Sequence, residues 1–324
     1  MLTAAQLLEL INHSFRQENL TREPRTLYDP IAYMLMLGGK RMRPVMLLLS
    51  CDLFRGSVAD ALPAAMGIEM FHNFSLVHDD IMDRAALRRG HPTVHEKWNP
   101  ETAILAGDTM LTMAFEYFLR LEEPLIRPCL EVFGKTSREV CDGQQLDMDF
   151  EGAGNVSVSQ YLEMIRLKTA VLLGASLKIG AIIARTSPAN QEIIYSAGIH
   201  YGLAFQLRDD LLDVYGDVSS FGKNSYGDIR NNKKTFLFLK SLELANQADR
   251  KTLVTLFSGK SSHAEEKIRI TVEIYNRTHV RNQAEELIGY HVAEAEKLIG
   301  SLEVDEDRTK PLVGYMADLA GRDH

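Results

Sequence analysis

Apolar residues recur along this chain at intervals of three and four. Leu7, Leu8, Ile11 and Phe15 fall on one helical face, as do Leu172, Ala175, Ile179 and Ile183. Strict alternation over a long run is rare. No Asn-Gly or Asp-Gly pair separates β-rich runs, and the Asp142-Gly143 pair sits in a helical context. Pro30, Pro44, Pro63, Pro92, Pro100, Pro124, Pro128, Pro188 and Pro311 are read as breaks between segments of helix length. The pattern predicts an all-α fold of roughly ten or more helices with little or no sheet. No repeat, low-complexity tract or linker is evident, so a single helical domain over residues 1–324 is expected.

The first residues, "MLTAAQLLELINHSF", lack a basic leader and read as an amphipathic helix. The apolar stretches "PVMLLLSCDLF" and "AVLLGASLKIGAIIA" are too short to span a bilayer, and Lys178 interrupts the second. A cytoplasmic protein without an integral membrane segment is the expectation. The chain is 45% hydrophobic and 25% charged, an ordinary globular composition. Its net charge of −8 argues against a general nucleic-acid-binding role. Cys51, Cys129 and Cys141 show no metal-site spacing and read as reduced thiols.

Two loops interrupt the helical pattern. One runs through "RRGHPTVHEKWNPE"; the other, Tyr215 to Thr235, is rich in Gly, Ser, Asn and Asp and ends in two lysines. Long loops inside a compact domain are often functional. The first follows "HDDIMDRAALRRG", where Asp79, Asp80 and Asp83 precede Arg84, Arg88 and Arg89. On a helix, Asp79 and Asp83 share a face with Cβ atoms about 6 Å apart, and two like charges there repel. A divalent cation between them reverses that sign, and hard carboxylate oxygens favour Mg²⁺ over zinc. One such motif is more often a solvated acidic face. A second copy, Asp209, Asp210 and Asp213 in "FQLRDDLLDVYGD", has identical spacing. Two acidic patches across one cavity suggest several metals clamping a phosphorylated ligand. Arg88 and Arg89 then supply guanidinium forks for the oxygens the metal leaves free. Lys40, Arg41 and Arg43 in "GGKRMRP", Lys168 in "RLKTA", and Lys223 and Lys233 in the late loop add further cations.

The ordered set "GGKRMRP", "HDDIMD", "RRG", "GDTML", "DGQQLD", "LKTA", "FQLRDDLLD" and "GKNSYGDIRNNKKT" resembles the trans-polyprenyl diphosphate synthases, from about Gly38 to Thr235. The resemblance implies an all-α isoprenoid-synthase bundle with a central cavity, a homodimer, and a prenyltransferase. Its partners would be isopentenyl diphosphate and an allylic diphosphate such as dimethylallyl, geranyl or farnesyl diphosphate. An allylic diphosphate would be ionised with three Mg²⁺, attacked by isopentenyl diphosphate, and the adduct would lose a proton. Asp79, Asp83 and Asp209 would ligate metal directly, with Asp80, Asp210 and Asp213 completing the clusters. Arg88, Lys168, Lys223 and Lys233 match the allylic diphosphate site. Lys40, Arg43, His72 and Arg89 match the isopentenyl diphosphate pocket. Gln144, Asp147, Thr169 and Gln206 match polar residues near the reacting carbons.

In that family, bulky residues one or two turns before the first aspartate form the floor of the tunnel holding the growing chain. Here those positions are Phe71, Phe74 and Ser75. Ser75 lies about 6 Å and Phe71 about 12 Å along a helix from Asp79, near its face, whereas Phe74 turns away. The resemblance therefore implies farnesyl or geranylgeranyl diphosphate as product, with a longer-chain synthase as the alternative. A class I terpene cyclase would not need a second diphosphate pocket. A non-catalytic synthase subunit should have lost motif residues that are all present here.

Overall fold

The structure, a computed structural model, describes residues 1–216, 226–259 and 264–320. The elements are α1 (Ala4–Gln17), α2 (Arg25–Met36), α3 (Met42–Leu53), α4 (Val58–Met82), β1 (Leu87–Arg88), β2 (His91–Pro92), α5 (Val94–Lys97) and α6 (Pro100–Phe118). Then come α7 (Glu123–Gly152), α8 (Val158–Ile165), a π turn (Arg166–Ala170), α9 (Val171–Ile183) and α10 (Pro188–Tyr215). The rest are α11 (Gly227–Arg230), α12 (Phe236–Leu244), α13 (Gln247–Phe257), α14 (Ala264–Arg277), α15 (Val280–Gly300) and α16 (Glu306–Ala320). The all-α expectation holds.

Local chemistry explains many starts. Thr3 and Gln6 form a capping box on α1, and Ser157 and Gln160 form another on α8. Asn99 caps α6 by accepting from Thr102 N, with Pro100 in the first turn. The expectation that prolines mark breaks fails at four positions. Pro30, Pro63, Pro128 and Pro311 lie inside α2, α4, α7 and α16, each five residues past the helix's first residue. The missing N–H and the ring affect only the first two turns there, so the helix survives.

The chain divides into two compact units. The first comprises Met1–Lys135, Ala175–Tyr195 and Leu302–Tyr315; the second, Thr136–Gly174, Ser196–Ser301 and Met316–His324. Each is assembled from three separate stretches, so no single linker separates them in the sequence.

In the first unit α4 is apolar nearly all round and packs along α3 and α6. Ala61, Ala64, Ile68 and Met70 are fully buried. Ser50 Oγ donates to the Leu177 carbonyl at 2.7 Å, and Arg308 Nε to the Leu53 carbonyl at the end of α3 at 2.9 Å. In the second unit one core gathers Tyr161, Ile165, Leu203, Leu207, Leu211, Ile229, Leu237, Phe238, Ile274 and Ile288. The Phe238 and Phe257 rings stack 4.1 Å apart. No described helix is long and apolar enough to cross a membrane.

Candidate active site

The first unit carries the first acidic motif at the end of α4. Asp79 and Asp80 lie in its last turn, and Asp83 is its C-cap residue. Asp83 is exposed and Asp79 partly so, whereas Asp80 is 1% exposed. Arg88 grips Asp80 with both arms of its fork: Nε donates to Oδ2 at 2.8 Å and Nη2 to Oδ1 at 2.7 Å. Asp79 lies 3.9 Å from the same guanidinium. Burial raises the Asp80 carboxyl above its ordinary range, against the pull of Arg88. Burial works equally against the Arg88 charge, but its bonds to Asp80 win and raise its pKa.

Arg88 and Arg89 belong to a small hairpin, Leu87 opposite Pro92 and Arg88 opposite His91. Its two turn residues, Arg89 and Gly90, have φ of 54° and 77°. Positive φ at both positions matches the twist of a two-residue hairpin, here without an Asn-Gly or Asp-Gly signature.

The basic corner "GGKRMRP" joins α2 to α3. Arg89 Nη1 donates to the Gly38 carbonyl, and its guanidinium lies so close to Gly39 that a Cβ there would sit 2.7 Å from Nη2. Gly39 also has φ of 135°, so the corner needs glycine twice over. Arg41 is 5% exposed, with Nη1 donating to Glu69 Oε1 at 2.7 Å and Nη2 to the Leu35 carbonyl at 2.5 Å. Asn73 Nδ2 donates to Glu69 Oε1 at 2.9 Å. This buried set holds the corner that presents exposed Lys40 and half-buried Arg43. Arg43 Nη1 donates to His72 Nε2 at 3.0 Å, so that nitrogen is an acceptor. Burial, then Arg43, Arg89, Arg88 and Arg41, push His72 well below its ordinary pKa and keep it neutral.

One to two turns before Asp79, Phe71 and Phe74 contact each other, with ring centroids 5.4 Å apart. Phe71 also meets Phe133 at 5.3 Å, Phe118 meets Phe133 at 4.6 Å, and Phe74 meets the His78 ring at 4.9 Å. Ser75 Oγ donates to the His72 carbonyl at 2.8 Å.

The second unit carries the second motif on α10. Asp209 is exposed, whereas Asp210 is 4% exposed. Asp210 Oδ2 accepts from the Tyr161 hydroxyl and Oδ1 from Gln206 Nε2 at 3.2 Å. Gln206 Oε1 in turn accepts from Thr169 Oγ1 at 3.0 Å. Burial, then the nearby Asp228 charge, pushes Asp210 well above the usual carboxylate range. Asp213 accepts backbone N–H groups from Gly227 and Asp228, both at 3.0 Å. Asp80, Asp210 and Asp213, expected to complete acidic clusters, thus have oxygens engaged inside the protein. The middle aspartate of each motif is buried and holds a neighbour in place.

Lys168 and Thr169 stand on the π turn, a distortion frequent at functional sites. Lys168 Nζ donates to Asp147 Oδ2 at 2.7 Å, and Lys233 Nζ lies 3.7 Å from the same oxygen. Burial opposes ionisation of Asp147, but the two lysines outweigh it and hold the carboxyl below its ordinary value. These residues line one pocket together with Tyr161, Thr169, Gln206, Asp210, Asp228 and Lys234. Gln144 lies in the same helix as Asp147. Lys223 lies outside the described residues.

Sequence reading passed over Asp228, Tyr161, Glu69 and Asn73, and took Arg41 as a further cation of the corner rather than a buried partner of Glu69. Asp228 stands in the motif "GDIRNNKKT", and burial followed by Asp213 pushes it up to about 7. Tyr161 and Glu69 reach their partners only through tertiary packing and carry no local signal. Lys234, which lines the same pocket, does not pair with Asp147: Nζ donates to the Phe150 carbonyl at 2.7 Å and to that of Ala153, capping the end of α7.

No described group of three or more His, Cys, Asp or Glu side chains is arranged to hold a metal alone. Mg²⁺ takes one or two carboxylates and completes its shell with water and substrate phosphates. The chain is all-helical and carries two acidic motifs, each beside arginines or lysines.

Comparison with known proteins is consistent with that class. Residues 24–275 match the polyprenyl synthetase family model, and the chain belongs to that family. It is a prenyltransferase. It is 41% identical over 228 residues to a geranylgeranyl diphosphate synthase of Methanosarcina mazei, covering 70% of each chain. It is 36% identical over 321 residues to a geranylgeranyl pyrophosphate synthase of Geoglobus acetivorans, covering 98% of this chain and 97% of that one. A geranylfarnesyl diphosphate synthase of Natronomonas pharaonis is 39% identical over 253 residues, 72% of this chain and 74% of that one. Among solved structures, a geranylgeranyl pyrophosphate synthase superposes with a TM-score of 0.95 at 42% identity, covering 99% of both chains.

Proposed function

We propose that this protein condenses isopentenyl diphosphate with an allylic diphosphate to give a short-chain trans-prenyl diphosphate. The observation that carries the reading is that each unit presents an acidic motif whose first aspartate is at least partly exposed and whose middle one is buried. Asp79, Asp83 and Asp209 would hold Mg²⁺, whose charge stabilises the departing diphosphate. Asp80 aims Arg88, and Asp147 aims Lys168 and Lys233, so these cations meet phosphate oxygens without reorganising. The neutral His72 accepts from Arg43 and orients it beside Lys40 for the second diphosphate. Tyr161, Asp210, Gln206 and Thr169 form a hydrogen-bonded chain that fixes polar groups facing the pocket. The protein needs no nucleophile of its own: its residues bind, orient and exclude water.

Relatives named for geranylgeranyl and geranylfarnesyl products favour a short product. The Phe71–Phe74 pair, backed by Phe133, is the proposed floor of the chain tunnel. Phe74→Ala or Phe71→Ala should shift the product to longer chains on chromatography, and unchanged length in both refutes that floor. An apolar stripe on α6 and the family resemblance support a homodimer. The defining experiment is turnover of isopentenyl diphosphate with dimethylallyl, geranyl or farnesyl diphosphate. Consumption that a chelator abolishes and Mg²⁺ restores is expected; no consumption with any allylic partner overturns the proposal.

A further inference from the structure

Lys267, on α14, is 3% exposed, and no described carboxylate lies within ion-pair distance of it. Its Nζ donates to the Ile229 carbonyl and, at 2.5 Å, to Asn232 Oδ1, and it sits 4.5 Å above the Phe257 ring. Burying an ammonium without a counter-ion is costly, and an apolar side chain of similar length would fill the space at less cost. Burial already pulls its pKa down to about 8. The residues it clasps explain its presence. Ile229 lies in the short helix α11, and Asn232 is held at a φ of 59° in the turn that follows. Lys233 N donates to the Asp228 carbonyl at 2.9 Å across the same turn. Asp228 and Lys233 both line the pocket.

The segment from Gly227 to Lys233 is therefore held at two ends. Asp213 takes the N–H groups of Gly227 and Asp228 at its start, and Lys267 takes Ile229 and Asn232 at its finish. We propose that Lys267 is a positioning residue for diphosphate capture: from outside the pocket it closes the turn that aims Asp228 and Lys233 into it. Its ammonium donates to two oxygens, the Ile229 carbonyl and Asn232 Oδ1, that an apolar side chain at that position would leave unpaired.

The inference rests on the proposed activity and is tested so that the two can fail separately. Lys267→Met removes the donor at similar length. Asn232→Gly removes one acceptor while keeping the positive φ at no steric cost. Expected for K267M is a fall in kcat/KM for the allylic diphosphate of about 10- to 100-fold, the scale of a misplacement near 1 Å. The KM for isopentenyl diphosphate should move less than about 2-fold, because Lys40, Arg43 and His72 do not depend on this turn. N232G should lose part of the same effect, and the double variant less than the sum of the two. Calorimetric binding of inorganic pyrophosphate with Mg²⁺ gives a readout that needs no turnover: K267M should bind about 10-fold more weakly, following its looser phosphate contacts. Unchanged K267M kinetics and pyrophosphate binding, or equal losses for both substrates that follow the folded fraction by circular dichroism, overturn the proposal. A wild-type enzyme that consumes no isopentenyl diphosphate overturns the activity instead, and pyrophosphate binding then still decides the role of Lys267.

Discussion

Asp80 and Asp83 stand three residues apart in one motif, yet their surroundings give them different work. Asp80 is buried under a bidentate arginine; Asp83 is exposed at the end of its helix. Asp80→Asn keeps the shape but loses the anion that holds Arg88. Charge-assisted hydrogen bonds are worth about 1.5–3 kcal/mol, so kcat/KM for the allylic substrate should fall about 10- to 100-fold. The Mg²⁺ concentration giving half-maximal rate should stay where it is. Asp83→Asn, at a proposed direct ligand, should raise that concentration about 10-fold or more. A Mg²⁺ titration of both variants reads this, and a shifted midpoint in D80N alone would reverse the assignment. The spacing displayed both aspartates; which one turns inward depended on a hairpin that brings Arg88 back onto α4.

A second residue-scale effect lies away from the site. His200 and His291 meet through their Nδ1 atoms at 3.0 Å, and burial lowers the pKa of both. For His291 burial, with His200 second, brings it down to about 4. The unfolded chain binds a proton near pH 6.5 that the folded chain refuses until about pH 4. Stability therefore falls as pH drops through that window, by up to about 3 kcal/mol from this residue, and levels off below it. His291→Phe should flatten the drop in Tm between pH 7 and pH 4.5. An unchanged slope would place the acid sensitivity elsewhere.

At the scale of elements, the helices were legible because apolar spacing and caps announced them. The distortions that build the site were not. The π turn under "RLKTA" has no local signature, and its counterpart is Gly143 on α7. A Cβ at Gly143 would lie 2.3 Å from Lys168 N and 2.7 Å from its Cα. Both atoms are backbone, so no side-chain rotation relieves the clash and the two elements must separate. Gly143→Ala should cost about 1–3 kcal/mol of stability, the range for overpacking. Because the displaced atoms belong to Lys168, kcat/KM for the allylic diphosphate should fall by more than stability alone predicts. Thermal unfolding and steady-state kinetics on one preparation separate the two effects. A variant with lowered Tm and full activity would show that α7 only packs here. The hairpin of Arg88 and Arg89 was equally hidden: its Arg-Gly turn lacks the dipeptides that advertise such turns, so the pattern of charges was readable and its cause was not.

Over the whole molecule, helical class and both acidic motifs were open to sequence reading, since each rests on residues within a few turns. What stayed hidden spans long separations: Arg41 with Glu69, Tyr161 with Asp210, Lys267 with Asn232. In sequence these look like surface charges or plain core residues, and packing alone makes them partners. Ile104, Leu105 and Leu119 are 45%, 59% and 59% exposed, and Phe115 38%. At helical spacing these fall within an arc of roughly 100° on α6 and its cap. That face, which also carries exposed Asp108 and Thr112, is what an isologous partner would cover, and a stable interface needs about 1,200–2,000 Å². Sedimentation of the native protein should therefore give twice the 36.4 kDa chain mass. Leu119→Glu and Phe115→Glu together should shift it to the chain mass, since opposing glutamates would meet across the symmetry axis. Helical content should survive, because these side chains already face outward. A native protein of single-chain mass, or a variant that remains paired, would assign the stripe to another purpose.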